Sequence, residues 1–495
     1  MKVLELSPRP PVFKRLGMTV PKNDREFIES EIRRWISSSA RNKQIESDRY
    51  YDGDHDILKR KRTVINDDGK LEEVDNLPNN RIVDNQYAKA VDQKANYLCG
   101  KPITFDCTNK AYSNALCKVL GVKFDRLLKL LAENAIIGGK VWLVPFFDRE
   151  GKLSFELLRA YEILPFWADS GHTELDCAVH FYPVWDYDAD NGKGEIVNKV
   201  EVIHGGGIDR FIWDNELKPD PDAKSGTHVS VTKNGKTTSQ NWQKMPLICF
   251  KANHREQPLL VKVKCLQDAL NLMLSNFTNN MEEDVRNTIL IIENYDGEDL
   301  GSFRHNLATY GAIKVRTVDG VRGGVNTLHI EVNAENYKTI IELLKKAIIE
   351  NARSFDAKDE RTKGTPNQMN IKSMYSDIDL DANAMETEFK AAFEDLLWFV
   401  NMYLINTGVG DFTGETVKII FNRDVMFNET ERIENANKAG ARISQQTALA
   451  HHPWVTDVPE EQKRIEEEEK KAKEKLEEYS GAFATGNTNA GGDDE

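Results

Sequence analysis

The stretch 258–281, PLLVKVKCLQDALNLMLSNFTNNM, sets the architecture. Leu259, Val263, Leu266, Leu270, Met273, Phe277 and Met281 recur at steps of four or three, the seam of a long packed helix. At 1.5 Å per residue, roughly 27 residues make a rod of about 40 Å. A second rod is predicted over about 334–355, with Tyr337, Ile341, Leu344, Ile348 and Phe355 on one face. Between the rods lies a short segment with β-rich runs at 288–292, 312–315 and 327–332. The pattern is a hairpin of two rods with a small β-containing knob at its tip.

Before the rods, Asn23-Asp24-Arg25-Glu26 has the form of a capping box, and Phe27, Ile28, Ile32, Trp35 and Ile36 continue it as a helix over about 24–39. A second helix is predicted over 83–99, where Tyr87, Val91, Ala95 and Leu98 share a stripe and Gly100 and Pro102 supply the stop; a third covers 123–137. From 140 to 250 the period shortens to β-rich runs at 141–147, 153–158, 178–182, 196–203 and 228–231. This half is α+β with an antiparallel sheet. After the rods, 358–364 is polar, and Thr365-Pro366 offers an N-cap and a first-turn proline. The helix begun there is expected to break near 377–381 and resume over 383–405, with Met385, Phe389, Phe393, Leu397 and Val400 on one face. A strand at 416–421 and helices at 430–438, 444–451 and 459–479 follow, and 481–495 has the composition of a disordered tail.

The 495 residues allow about two to four domains. Apolar residues at 40% and charged residues at 29% supply real cores, so most of the chain folds. A net charge of −14 with both signs mixed excludes a general nucleic-acid coat, which needs a positive surface. No apolar run approaches the roughly 20 residues of a bilayer span. An acid and prolines stand early, where a signal peptide needs an apolar stretch, so the protein is expected to stay where it is made. Six cysteines without a CxxC pair read as packing thiols in a reducing compartment.

Candidate chemistry is sparse. Gly235-Lys236-Thr237 ends like a phosphate loop, but Ser230 replaces the first glycine, and Asn234-Gly235 spells a two-residue hairpin turn instead. Asp377, Asp379, Asp381 and Glu388 fall at calcium-loop spacing, yet Ala382 sits where the turn requires glycine; a buried kink that caps the next helix fits better. Asp52, Asp54, His55 and Asp56 could hold a metal for hydrolysis, or form a solvated turn between packed residues. His451-His452 before Pro453 suits a helix end, and Glu466–Glu469 with Lys470 and Lys471 suits a solvated helix face. No catalytic residue, metal or cofactor is assigned.

Several stretches together resemble the portal proteins, or head-to-tail connectors, of long-tailed bacteriophages. They are Tyr50-Tyr51-Asp52-Gly53-Asp54-His55-Asp56-Ile57-Leu58, Asn79-Asn80-Arg81-Ile82-Val83-Asp84-Asn85 and Tyr97-Leu98-Cys99-Gly100-Lys101-Pro102-Ile103, then the rod at 259–286 and the stretch 364–381. Near the end come Ile443-Ser444-Gln445-Gln446-Thr447 and Val455-Thr456-Asp457. The likeness covers nearly the whole chain in order. Cys99 replaces an aromatic or aliphatic residue of the family pattern, and Gln445-Gln446 a charged pair.

The resemblance implies a structural, non-enzymatic protein with the portal fold: an α/β wing, a two-helix stem, a small β-containing clip, a tunnel loop and a helical crown. On this sequence that gives an arm and wing at 1–257, stem helices at 258–286 and 334–355, and a clip at 287–333. The tunnel loop falls at 356–365, a wing helix at 366–407, the crown at 408–480 and the tail at 481–495. It implies stem packing through Leu266, Leu270, Phe277, Ile341, Leu344 and Ile348, a clip partner surface at Arg304 and His305, and DNA-tunnel contacts from Lys358, Arg361 and Lys363. Implied partners are further copies in a dodecameric ring, double-stranded DNA without sequence reading, the terminase large subunit, the head-tail connector, and the major capsid and scaffolding proteins, with no membrane. Its place is the portal vertex of the virion, and the host cytoplasm during assembly. The alternative reading is a metal-dependent hydrolase built on an acidic cluster.

Overall fold

The computed structural model describes residues 22–65, 68–75, 77–188, 193–233, 236–284, 334–356 and 368–423, with short stretches between 289 and 328 and between 455 and 472. The chain divides into two units, 1–355 with 377–424, and 356–376 with 425–495. Helices run over Lys22–Ile36 (α1), Ser39–Tyr51 (α2), Gln86–Cys99 (α3), Lys110–Gly138 (α4), Leu260–Asp284 (α5), Ala334–Ala352 (α6) and Gln368–Asn406 (α7).

The first unit is built on an antiparallel meander in the order Leu217–Pro219, Gly207–Trp213, Lys193–His204, Leu175–Asp188 and Ile163–Trp167. Strand alternation gives it two apolar faces. On one, Cys177, Val179, Phe181, Val200 and Val202 pack under Ile28 and Ile32 of α1. On the other, Ala178 and Ile203 pack with Trp142 and Leu158 of a second sheet, ordered Ile248–Lys251, Lys140–Phe147 and Leu153–Leu158. The expected antiparallel α+β half is present, with longer strands than the sequence patterns outline.

Three local features position the rods. The first predicted helix ends at Ile36, and Ser38 caps a new one by accepting from the Arg41 amide at 3.3 Å. α4 starts earlier than expected and bends at Gly121, whose φ of 51° is open only to glycine at little strain. α4 stops at Gly139 in the left-handed region, where an added Cβ would come within 2.3 Å of the Glu256 carbonyl oxygen. This close approach lets the Ala252 amide reach the Gly139 carbonyl at 3.0 Å and the Leu259 amide reach that of Ile136 at 3.1 Å, which aims α5 off the end of α4.

The expected break at 377–381 does not occur: α7 is continuous. Two of the acids have partners elsewhere in the fold that remove the need for a kink. Asp379 accepts from Tyr97 and from Arg423, and Asp381 from Lys94 at 2.6 Å and Arg353 at 2.9 Å. After α7, Lys418–Ile420 pairs with Thr104–Asp106, so 408–423 belongs to the first unit. Val229–Lys233 pairs antiparallel with Lys236–Gln240, with Lys233 opposite Lys236, while Asn234 and Gly235 lie outside the described residues. Between the rods, Ile289–Glu293 pairs with Gly324–Leu328 and Thr317–Val318 with Val321–Arg322. Arg304, His305, Lys358, Arg361 and Lys363 lie outside the described residues, as do 312–315, 430–438, 444–451 and the tail. In the second unit, 461–468 is helical.

Candidate functional site: the helical hairpin and its polar ladder

α5 and α6 run antiparallel. The rings of Phe277, near the end of α5, and Tyr337, near the start of α6, lie 5.2 Å apart, and Asn280 Nδ2 donates to the Tyr337 hydroxyl at 2.8 Å. Of the six residues expected to pack the stem, Leu270 and Ile348 are fully buried. Leu266, Phe277, Ile341 and Leu344 are half-buried. Beyond them, Val261 and Leu272 on α5 and Ile340 and Leu343 on α6 are exposed, Leu343 at 61%. The hairpin thus leaves part of its apolar surface uncovered within the chain.

The rest of α5 is held by a device the apolar pattern does not show. Gln267, Asn271, Ser275 and Asn279 are fully buried and stand four residues apart, one stripe of the helix. An extended segment runs antiparallel along this stripe. The amide of Asn80 donates to Asn279 Oδ1 at 2.7 Å, that of Ile82 to Ser275 Oγ at 3.0 Å, and that of Asp84 to Asn271 Oδ1 at 3.0 Å. At the start of α3, the amide of Tyr87 donates to Gln267 Oε1 at 3.1 Å. Two residues of extended chain advance about 6.6 Å, and four of helix about 6 Å, so the two repeats stay in step over three rungs. Backbone amides that would be buried without partners are satisfied by side chains.

His55 locks the ladder. Its Nε2 donates to the Tyr50 carbonyl at 3.0 Å, and its Nδ1 accepts from Asn271 Nδ2 at 2.8 Å, which defines a neutral tautomer. Burial pushes its pKa down. Around it, Lys264 donates to Asp268 at 2.7 Å and to Asp56 at 2.9 Å, and Arg49 to Asp56 at 2.6 Å. Burial opposes ionisation of Asp56, but the hydrogen bonds from Lys264 and Arg49 outweigh it and hold the carboxyl well below the usual range. In the 52–56 cluster, Asp56 and Asp54, the latter 3.6 Å from Arg49, are therefore paired with the chain's own cations. Lys345 of α6 reaches Asp84 at 2.7 Å, tying the second rod to the same segment. The base of α5 has a second clasp: Glu256, itself at positive φ, takes Lys140 at 2.6 Å, His172 at 2.7 Å and Lys251 at 3.1 Å. Burial opposes its charge, yet Lys140 holds its pKa down at about 2. Among the described residues, no group of three or more His, Cys, Asp or Glu side chains is placed to hold a metal ion. Nor is any helix among them long and apolar enough to cross a membrane.

The family model for the phage portal protein, SPP1 Gp6-like, matches residues 37–475. This chain belongs to that portal protein family. The portal protein of Clostridium phage phiCD119 is 30% identical over 453 residues, covering 89% of this chain and 96% of that one. The portal protein of Bacillus phage SPP1 is 28% identical over 424 residues, 85% of this chain and 82% of that one. Among solved structures, a chain in the virion of a native gene transfer agent particle matches with a TM-score of 0.39 and 13% identity, over 73% of this chain and 88% of that one. A chain in the neck of that particle, computed with C12 symmetry, matches with a TM-score of 0.37 and 12% identity, over 74% and 88%. The family resemblance carried by 50–58 and 79–85 is borne out, and these stretches are the ones that build the clasp and the ladder on α5. Sequence reasoning missed the ladder itself. Its signal was present as four polar residues at strict four-residue spacing beside the apolar seam.

Proposed function

We infer that this portal-family chain assembles into a dodecameric ring at one vertex of the virion capsid, the conduit for DNA packaging and ejection. The observation that carries this reading is the partly covered hairpin: α5 and α6 leave Val261, Leu272, Ile340 and Leu343 uncovered, and a neighbouring copy's hairpin would bury them. In this reading α5 and α6 are the stem and 287–333 the clip, whose Arg304 and His305 face the terminase large subunit and the head-tail connector. The stretch 356–365 lines the tunnel, where Lys358, Arg361 and Lys363 touch phosphates of duplex DNA without reading sequence. Capsid and scaffolding proteins bind the rim during assembly in the host cytoplasm. The role is structural and no step of it requires catalysis. The test is to purify the full chain and count subunits in end views by electron microscopy. Twelve-fold rings are expected, and a particle near the 56.3 kDa of one chain would overturn the reading. Leu344→Asp should abolish rings by placing a carboxylate in the seam. Replacing Lys358, Arg361 and Lys363 together by Ser should leave rings intact and reduce DNA packaged per head, with the deficit largest at low salt and shrinking as salt screens the wild-type contacts. Unchanged packaging would remove the tunnel assignment.

A further inference from the structure

The sheet face covered by α1 continues past it. Cys177, Val179 and Phe181, opposite Val200 and Val202, form its buried part. By alternation the same face goes on through Trp185 and Tyr187, opposite Ile196 and Gly194. There Trp185, Tyr187 and Ile196 are 64%, 60% and 64% exposed. Trp185 is held flat, because its indole lies on Gly194, where an added Cβ would come within 2.4 Å of it. The reverse face sets Asp186 directly opposite Glu195, both exposed. Like charges at a cross-strand pair repel, and a cationic partner would relieve them.

A second surface of the same unit has the opposite charge. Beyond the bend at Gly121, α4 turns Val122, Lys123, Arg126 and Leu130 outward along one face, with Val122 at 85% exposure. These residues span about 12 Å of helix, close to the roughly 7–10 Å of ribbon occupied by two to three residues of strand. One patch is apolar and acidic, the other apolar and basic, and every copy carries both. Two unlike patches that fit each other make a head-to-tail contact, the kind that generates a ring when its rotation closes.

We propose that the ribbon bearing Trp185, Tyr187 and Ile196 docks on the Val122–Leu130 face of α4 in the next copy of the chain. The aromatic rings cover Val122 and Leu130, while Lys123 and Arg126 reach round the ribbon's edges to Asp186 and Glu195. The contact rests on the ring reading above and adds a second belt to it, away from the hairpin. Its test uses the full chain with Cys117 and Cys265 replaced by Ser. Val122→Cys and Ile196→Cys are placed together, assembled rings are oxidised, and a ladder of covalent multimers is expected that neither single variant gives. In parallel, Lys123→Glu with Arg126→Glu should lower the fraction of chain in rings about tenfold at low salt, and adding Asp186→Lys with Glu195→Lys should restore it. Normal rings that neither cross-link nor respond to the reversals would overturn the contact while leaving the ring reading intact. Assembly lost on reversal and not recovered by the double swap would also count against it. Absence of rings from the unaltered chain would remove the ring reading, and this contact with it.

Discussion

α5 and α6 are the two arms of one hairpin, yet they are held in opposite ways. α5 buries Leu260, Val263, Gln267, Leu270, Asn271, Ser275 and Asn279, and four of these seven are polar. α6 fully buries only Ile348 and Ala352 among its described residues, and turns Ile340 and Leu343 outward. The polar side chains on α5 bind specific amides and so fix one register against the body of the chain, since a shift would leave buried donors unsatisfied. The apolar residues on α6 fix no register and tolerate any greasy surface of the right shape. α5 is anchored by its polar stripe, and α6 buries fewer of its described residues.

The sharpest way to break this contrast is Asn271→Leu. It strips the acceptor from Asp84 and Gln267 and the donor from His55 in one step. A loss of about 4 kcal/mol is expected in denaturant unfolding of the chain, from several buried groups left unpaired. If the midpoint hardly moved, the ladder would not be the anchor of α5. Glu256→Gln comes next, at about 3 kcal/mol, because it leaves Lys140 and Lys251 buried without their carboxylate. Glu256 also has a pH signature. Its folded pKa is depressed to about 2 from 4.5, so its contribution is complete above 4.5 and drains away as the pH falls toward 2. The Gln variant should lack that portion of the acid unfolding curve.

On α6, Ile348→Ala should cost about 3 kcal/mol, as for other large-to-small core changes. Leu343→Ala, on the same helix and exposed, should change the stability of the separate subunit by less than about 0.5 kcal/mol and still weaken assembly. Equal effects of the two on subunit unfolding would erase the distinction between the arms. The effect at His55 depends on pH. Burial lowers its folded pKa below 6.5, so the unfolded chain binds more protons there, and stability should fall as the pH drops below about 6.5. Comparing wild type with His55→Gln between pH 7 and 5 should show a difference of about 1 kcal/mol. Parallel curves would mean that the imidazole titrates freely.

The rods, the antiparallel half and the family were legible in the sequence because they rest on local repetition: a seam at steps of four and three, alternating strands, and motifs read in order along the chain. The continuity of α7 was not legible. Three aspartates in five residues look like a break until Tyr97 and Arg423 are brought up to Asp379, and Lys94 and Arg353 to Asp381. The ladder escaped for the same reason. Asn271 on a helix reads as an ordinary solvated residue, and only the fold supplies Asp84 and His55, both about 190 or more positions away. Sequence by itself determined the two rods, the antiparallel half and which of their faces are apolar, since those follow from the period of the side chains. Tertiary structure alone decided which polar residues are buried and what satisfies them, because a polar group's energy depends on the partner it meets, and the chain brings that partner from elsewhere.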